Sequence, residues 1–171
     1  MKVILYLAMT VNGLIARNDD DTSFVSKTEW ETYPALVKEI GNMVVGRRTY
    51  EIMRQEDQFD DFAGITIVVV TTDKQFKPAA QSHYPAKSPR EAVALLEKQG
   101  FKEITVAGGS KINASFMKEN LVDEVYLDLE PVLLGKGIGL FAPSGFEVKL
   151  ELLGSKKISA NEIQLHYKVI R

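Results

Sequence analysis

Residues 104–112 read Ile104-Thr105-Val106-Ala107-Gly108-Gly109-Ser110-Lys111-Ile112: a short β-branched run, paired glycines, then the opening of an amphipathic stretch. Such a run, apolar at consecutive positions, suits a strand buried on both faces, and the glycines allow a tight turn into a helix. The same pattern occurs upstream in Met43-Val44-Val45-Gly46-Arg47-Arg48-Thr49-Tyr50-Glu51. Further runs at Val3–Met9, Ile65–Thr71 and Val122–Leu129 alternate with segments of helical period. Alternation of this kind predicts an α/β protein whose sheet is parallel for most of its strands, with helices on both faces in three layers.

The intervening helices carry their own signals. Ser88 is a candidate N-cap, Pro89 fits the first helical position, Glu91 completes a capping box, and Gly100 offers a left-handed stop after Gln99. Ser26-Lys27-Thr28-Glu29 repeats the capping pattern and opens a helix to about Ile40, with Trp30, Tyr33, Leu36, Val37 and Ile40 toward the core. Pro34 lies inside that run and offers an alternative start near Tyr33. Further helices are expected after Gly46 and after Gly109. Beyond Glu147 the pattern alternates apolar and charged residues, with turn residues at Gly154–Ala160, which predicts an antiparallel hairpin over Glu147–Leu153 and Ile163–Ile170.

Composition narrows the function. The chain has 171 residues, 45% hydrophobic and 26% charged, as an ordinary single globular domain does. With 21 Lys plus Arg against 23 Asp plus Glu there is no electrostatic footprint for nucleic acid, so an anion must be met by a local site. The absence of cysteine removes disulfides, thiolate nucleophiles and Cys-based metal sites, and two histidines cannot make a His-rich one; no metal is expected. Val3–Met9 is the longest apolar run, far short of the ~20 residues of a membrane span, so a cytoplasmic location is expected. The acidic triplet Asp19-Asp20-Asp21 and the Glu56–Asp61 cluster read as solvated loops.

The two glycine junctions are where chemistry is expected. Helix N-termini favour anions, and Arg47 and Arg48 in a first turn oppose the dipole unless an anion compensates them; surface arginines that simply extend away are the equal alternative. Gly108-Gly109-Ser110 would turn backbone amides and a hydroxyl toward a second phosphate. Two such turns, at the carboxyl ends of strands, can each grip one phosphate group of the same dinucleotide. A third glycine loop, Pro131–Phe141, lacks a following helix and is expected to be a mobile loop shaping the substrate side.

Met9-Thr10-Val11-Asn12-Gly13-Leu14-Ile15-Ala16, Val45–Glu51 and Val106–Ser110 resemble the three signatures of the dihydrofolate reductase-like superfamily, and Pro131–Phe141 is similar to the C-terminal reductase domain of the bifunctional riboflavin-biosynthesis deaminase/reductase. The resemblance spans nearly the whole chain. It implies a dihydrofolate reductase-like, mostly parallel mixed sheet with an antiparallel C-terminal hairpin, a homodimer, and an NADPH-dependent reductase acting on a C=O or C=N group. The activity implied is most like 5-amino-6-(5-phosphoribosylamino)uracil reductase. With the deaminase half and its zinc ligands absent from the sequence, a stand-alone reductase-type domain is expected.

By motif, Gly46, Arg47, Arg48 and Thr49 would contact coenzyme phosphates, Thr71, Thr72 and Asp73 would flank the adenosine, and Lys87 would add charge nearby. Gly108, Gly109, Ser110, Lys111 and Ile112 would hold the pyrophosphate, and Ala8, Thr10, Gly13 and Ile15 would border the nicotinamide. The second substrate would meet Asn12, Glu29, Trp30, Tyr33, Leu134 and Gly135. The family commonly has an aspartate where Asn12 stands, so an ionisable group is missing at that turn. A folate reductase keeps a buried acid on its first helix; Glu29 and Glu31 lie in that stretch without the surrounding motif, and Glu29 also reads as the acid of a capping box. Trp30 and Tyr33 could stack on a substrate ring or pack in the core. Dihydrofolate reductase itself and a nucleotide-binding protein without turnover are the alternative functions. The sequence names no proton donor.

Overall fold

The computed structural model describes residues 1–171. Ten strands and four helices follow in the order β1 (Lys2–Thr10), β2 (Leu14–Ala16), α1 (Lys27–Ile40), β3 (Asn42–Gly46), α2 (Arg47–Gln55), β4 (Thr66–Val70), β5 (His83–Ala86), α3 (Pro89–Lys98), β6 (Glu103–Val106), α4 (Ser110–Lys118), β7 (Glu124–Glu130), β8 (Ile138–Gly139), β9 (Lys149–Lys157) and β10 (Ile163–Ile170). Eight strands form one sheet in the order β5-β4-β3-β6-β1-β7-β10-β9, and β2 pairs separately with β8. The strands from β5 to β7 are parallel, and β10 and β9 complete the sheet in antiparallel pairing. The expected α/β architecture is therefore what the chain adopts.

Because the central strands are covered on both sides, their alternate residues feed two cores. Val44 and Val68 point into one core with Val3, Leu5, Val106 and Phe116. Met43, Val45, Ile67 and Val69 point the other way, against Val37, Tyr50 and Phe62. Burial on both faces is why the sequence shows continuous apolar runs there rather than alternation. No helix of the structure is long and apolar enough to cross a membrane.

Helix ends follow local chemistry. Ser88 Oγ accepts the Glu91 amide at 3.2 Å, and Gly100 follows α3 with φ +92°. Ser26 caps α1, which runs unbroken through the buried Pro34, so the later start is excluded. Val37 is buried and Leu36 and Ile40 are half-buried, but Trp30 is exposed rather than core-facing.

The C-terminal hairpin departs from expectation in its turn. The strand β9 continues through Gly154 to Lys157, and the reversal falls at residues 158–162. Gly154 sits opposite His166 beside a register shift, so the glycine marks a bulge within the strand rather than its end. The short strands β2, β5 and β8 carry too few residues for periodicity to reveal them.

Candidate functional site

The carboxyl ends of β1, β3, β4 and β6 open into one elongated cleft of about 820 Å³. At one end Gly46, Arg47, Arg48 and Thr49 stand opposite Thr71, Thr72, Asp73 and Lys87. Gly109, Ser110, Lys111 and Ile112 line the middle, and Ala8, Ile15, Glu29, Trp30 and Tyr33 line the other end. The structure thus brings together most of the residues singled out from the sequence.

The two glycine turns touch. The Gly46 amide donates to the Gly108 carbonyl at 2.8 Å. A Cβ on Gly46 would lie 2.8 Å from Ile112 Cγ1, and one on Gly109 would lie 3.2 Å from Thr49 Oγ1. Gly108 has φ +97°, a conformation that favours glycine, and the Gly108–Gly109 peptide is cis. Neither α2 nor α4 has a side-chain cap, whereas α1 and α3 are both capped by serine. The starts of α2 and α4, through Gly46, Arg47, Gly109 and Ser110, line the cleft, and first-turn amides that no side chain caps suit an anion.

Both arginines are solvent-accessible and both are paired with acids. Arg47 Nη1 is 2.6 Å from Asp73 Oδ2, and its Nε is 2.9 Å from Glu51. Arg48 Nε donates to Asp20 Oδ2 at 2.7 Å. Asp20 lines the cleft, so the acidic triplet is not merely a solvated loop, and Glu56 lines the cleft as well. The acids offset the unfavourable placement of arginines at a helix start.

Other expected residues lie off the lining. Thr10 is fully buried; its hydroxyl donates to Asn12 Oδ1 at 2.8 Å and accepts the Leu14 amide at 3.0 Å. Asn12 Nδ2 donates to the Leu134 carbonyl at 2.7 Å, and its Oδ1 accepts the Leu134 amide at 3.3 Å. Gly13, Gly108, Leu134 and Gly135 also stay outside the cleft wall. The Pro131–Phe141 loop is tied down rather than free: Asn12 holds Leu134, Gly13 accepts the Leu140 amide at 3.1 Å, and Gly137 lies so close to the Ala16 carbonyl that only glycine fits. Ile138 carries that loop into the lining.

Glu29 departs from the capping-box role. Its amide is capped by Ser26 Oγ at 3.0 Å, but the reciprocal bond is missing: the Ser26 amide donates to Glu130 Oε1 at 3.0 Å. The Glu29 carboxyl instead turns inward, 3% exposed, and lines the cleft. Burial, then Asp128, Glu130 and Glu162, push it up to about 9. Tyr33, half-buried, meets Tyr6 edge-on at 4.9 Å and Phe62 at 6.0 Å, and both it and Trp30 reach the cleft. His83, by contrast, is a packed residue: its Nδ1 is 2.7 Å from the Tyr50 hydroxyl, and burial pushes its pKa down.

The comparisons with known proteins agree with this fold. The family model for the RibD C-terminal domain matches residues 1–164. The chain belongs to the RibD C-terminal domain family. Among curated relatives, the uncharacterized protein YwjB of Bacillus subtilis is 30% identical over 169 residues, covering 97% of each chain. The uncharacterized protein YyaP of the same organism is 23% identical over 176 residues, covering 97% of this chain and 94% of that one. A putative riboflavin biosynthesis protein from Shewanella sp. PV-4 superposes with TM-score 0.84 at 21% identity over all of both chains. A Thermotoga maritima diaminohydroxyphosphoribosylaminopyrimidine deaminase/5-amino-6-(5-phosphoribosylamino)uracil reductase gives TM-score 0.74 at 16% identity, covering 99% of this chain and 56% of that one. The RibD C-terminal fold is thus the reductase-like frame on which the cleft is built.

Asp128, Tyr6 and Asp20 were not singled out from the sequence. The signal for Asp128 is its position: Asp128 and Glu130 alternate with Leu127 and Leu129 in a strand run, and a carboxylate at such a position is costly to bury.

Proposed function

We propose that the protein is a reductase that binds NADPH along the cleft and passes hydride to a small polar heterocycle or carbonyl compound. The observation that carries this reading is the pair of uncapped helix N-termini, α2 and α4, joined by the Gly46–Gly108 hydrogen bond and opening on one elongated cleft. The residues present fit such a coenzyme. The glycine turns let the two helix starts pack side by side, since Cβ atoms at Gly46 and Gly109 would meet Ile112 and Thr49, and the uncapped amides of both starts suit its phosphates.

Ser110 and the first amides of α4 would hold the pyrophosphate, with Lys111 adding charge. Arg47, Arg48 and Lys87 would meet a 2′-phosphate, and Thr71 and Thr72 would border the adenosine. Ala8 and Ile15 would form an apolar wall for the nicotinamide, with Glu29, Trp30 and Tyr33 on the substrate side. When bound, the coenzyme would supply the hydride; the chain orients it and excludes water. Thr10, Asn12 and Leu134 hold the first loop and the Pro131–Phe141 loop together as a frame behind that wall.

The relationship to the Thermotoga protein supports a substrate of the aminouracil type, and membership in the RibD C-terminal family supports reductase chemistry. Calorimetry at low salt with NADPH and NADH, followed by coenzyme oxidation across pyrimidinones, pterins and carbonyl compounds, tests the reading. Heat of binding with NADPH ahead of NADH is expected. No heat from either dinucleotide overturns it.

A further inference from the structure

The first turn of α1, the end of β7 and the turn into β10 bring Glu29, Asp128, Glu130 and Glu162 into one buried cluster, each less than a tenth exposed. No arrangement of these residues suits a metal ion. Their charge is met by hydrogen-bond donors and protons instead. Glu130 accepts the Ser26 amide at 3.0 Å. Asp128 Oδ2 accepts the Tyr6 hydroxyl at 2.6 Å, and Gln164 Nε2 donates to the same tyrosine oxygen at 3.3 Å.

After those bonds, Glu29 Oε2 and Asp128 Oδ1 remain unpartnered although both are buried. The two side chains lie within hydrogen-bonding reach of each other. Two bare carboxylates cannot stably face one another in such a place, because the charges repel and each orphaned acceptor keeps its desolvation cost. A single proton between them satisfies both. Of the four acids, Glu29 alone also lines the cleft.

We propose that Glu29 and Asp128 form a one-proton carboxyl pair in which Tyr6 fixes Asp128 as the accepting partner, leaving Glu29 to donate its proton to the heteroatom of a C=O or C=N bond bound in the cleft. This rests on the cleft being a hydride-transfer site, and it adds the substrate's chemical class: a group that accepts a hydrogen bond beside the carbon to be reduced. As that carbon takes a hydride from the reduced nicotinamide dinucleotide, the C=O or C=N π bond breaks. The Glu29 O–H bond breaks with it, and the proton forms the new O–H or N–H bond. Glu29 is left as a carboxylate, which solvent reprotonates.

Under this proposal Glu29 is the catalytic residue, while Asp128 and Tyr6 are positioning residues. The groups facing Glu29 are Tyr6 from β1, Tyr33 from α1, Asp128 and Glu130 from β7, and Glu162 from the turn before β10. Burial raises both phenols, so they stay hydroxyls. The named charges around Glu29 are therefore all acidic, and they act with burial to retain its proton at neutral pH.

Carbon-13 NMR of protein labelled at the glutamate carboxyls, titrated from acid to alkaline pH, reads this directly and needs no coenzyme. One resonance, lost in Glu29→Gln, is expected to stay in its protonated position at pH 7 and to titrate near 9. Asp128→Asn, which removes the neighbouring charge, is expected to lower that midpoint by a unit or more, about a tenfold change in proton affinity. The alkaline limb of kcat should move with it, a shift that a merely structural Asp128 would not cause. Wild type and Glu29→Gln decide the first arm even if Asp128→Asn folds poorly.

A Glu29 resonance that titrates with the exposed glutamates overturns the proposal while leaving coenzyme binding intact. So does an alkaline limb that persists unchanged in Glu29→Gln. Absence of calorimetric heat from any nicotinamide dinucleotide overturns the hydride-transfer reading, and the donor role falls with it.

Discussion

Gly46 donates its amide to the carbonyl of Gly108, 2.8 Å away, so the turns after β3 and β6 are bonded to each other before any ligand arrives. The two strands are neighbours in the sheet, paired through Val44 and Val106. Their helices therefore start side by side, with Ile112 of α4 packed over Gly46 and Thr49 of α2 reaching Gly109. A ligand spanning both helix ends meets a single preformed surface, which lowers the ordering cost of binding.

That packing makes Gly46→Ala a test of the shared surface. The added methyl would meet Ile112 Cγ1 at 2.8 Å and force a rotamer change. A loss of about 1–3 kcal/mol in urea unfolding is expected, together with weaker dinucleotide binding. Ile112→Ala in the same background should restore part of both, because the two sites are in contact and so not additive. Equal losses in the single and double variants would refute the contact argument.

The ion pairs of Arg47 and Arg48 set up a competition that binding can measure. Each guanidinium already has an acidic partner, Asp73 or Asp20, and both arginines are solvent-accessible, Arg48 mostly so, where the pair itself contributes little. Replacing both arginines by alanine is expected to weaken NADPH by about 1–3 kcal/mol through lost charge-assisted contacts, and NADH far less. Asp20→Asn should do the reverse: it frees Arg48 and tightens NADPH several-fold, with NADH unchanged. Calorimetry with both dinucleotides checks the pair; equal effects on the two would remove the arginines from the phosphate end.

How much of this was legible in the sequence depends on how local the cause is. Ser88-Pro89 and Gly108-Gly109 declare a helix start and a tight turn within a few residues, and both stand as read. The Gly154 turn misled because a bulge and a turn use the same residue, and only the pairing partner, His166, separates them. Glu29 misled for a related reason. Its spacing from Ser26 satisfies a capping box, but the Ser26 amide finds Glu130, about a hundred positions away, so the glutamate is free to turn into the cleft. Asp20, read as a loop acid, and Asp128 were not assigned to the site for the same cause, since each meets its partner only through tertiary contact.

Stability should record the retained proton of Glu29. Its pKa is raised in the folded protein, to about 9, while the unfolded chain releases that proton near the ordinary glutamate value. Between those limits the folded state binds more protons than the unfolded one. The contribution is therefore fully present below about pH 4 and is lost as pH rises toward 9, with a slope of at most about 1.4 kcal/mol per pH unit for one proton. Urea unfolding from pH 5 to 9 should show wild type losing stability steadily relative to Glu29→Gln. Parallel curves for the two proteins would mean that Glu29 titrates normally.

Asn12 provides the last test, because its amide both donates and accepts across the two loops. Nδ2 donates to the Leu134 carbonyl, while Oδ1 accepts the Leu134 amide and the Thr10 hydroxyl. Asn12→Asp keeps the shape and both accepted bonds but sets a carboxylate oxygen against the Leu134 carbonyl, so two acceptors face each other. A loss of about 1–3 kcal/mol is expected, the cost of an unmet acceptor pair, and it should shrink below pH 4, where the protonated acid can donate again. Asn12→Ala, which removes all three bonds, should destabilise at every pH. Amide hydrogen exchange at Leu134 separates the cases: faster exchange in both variants at neutral pH is expected, with acid slowing it only in Asn12→Asp relative to Asn12→Ala. Protection unchanged in either variant would show that the Pro131–Phe141 loop is held by β8 alone.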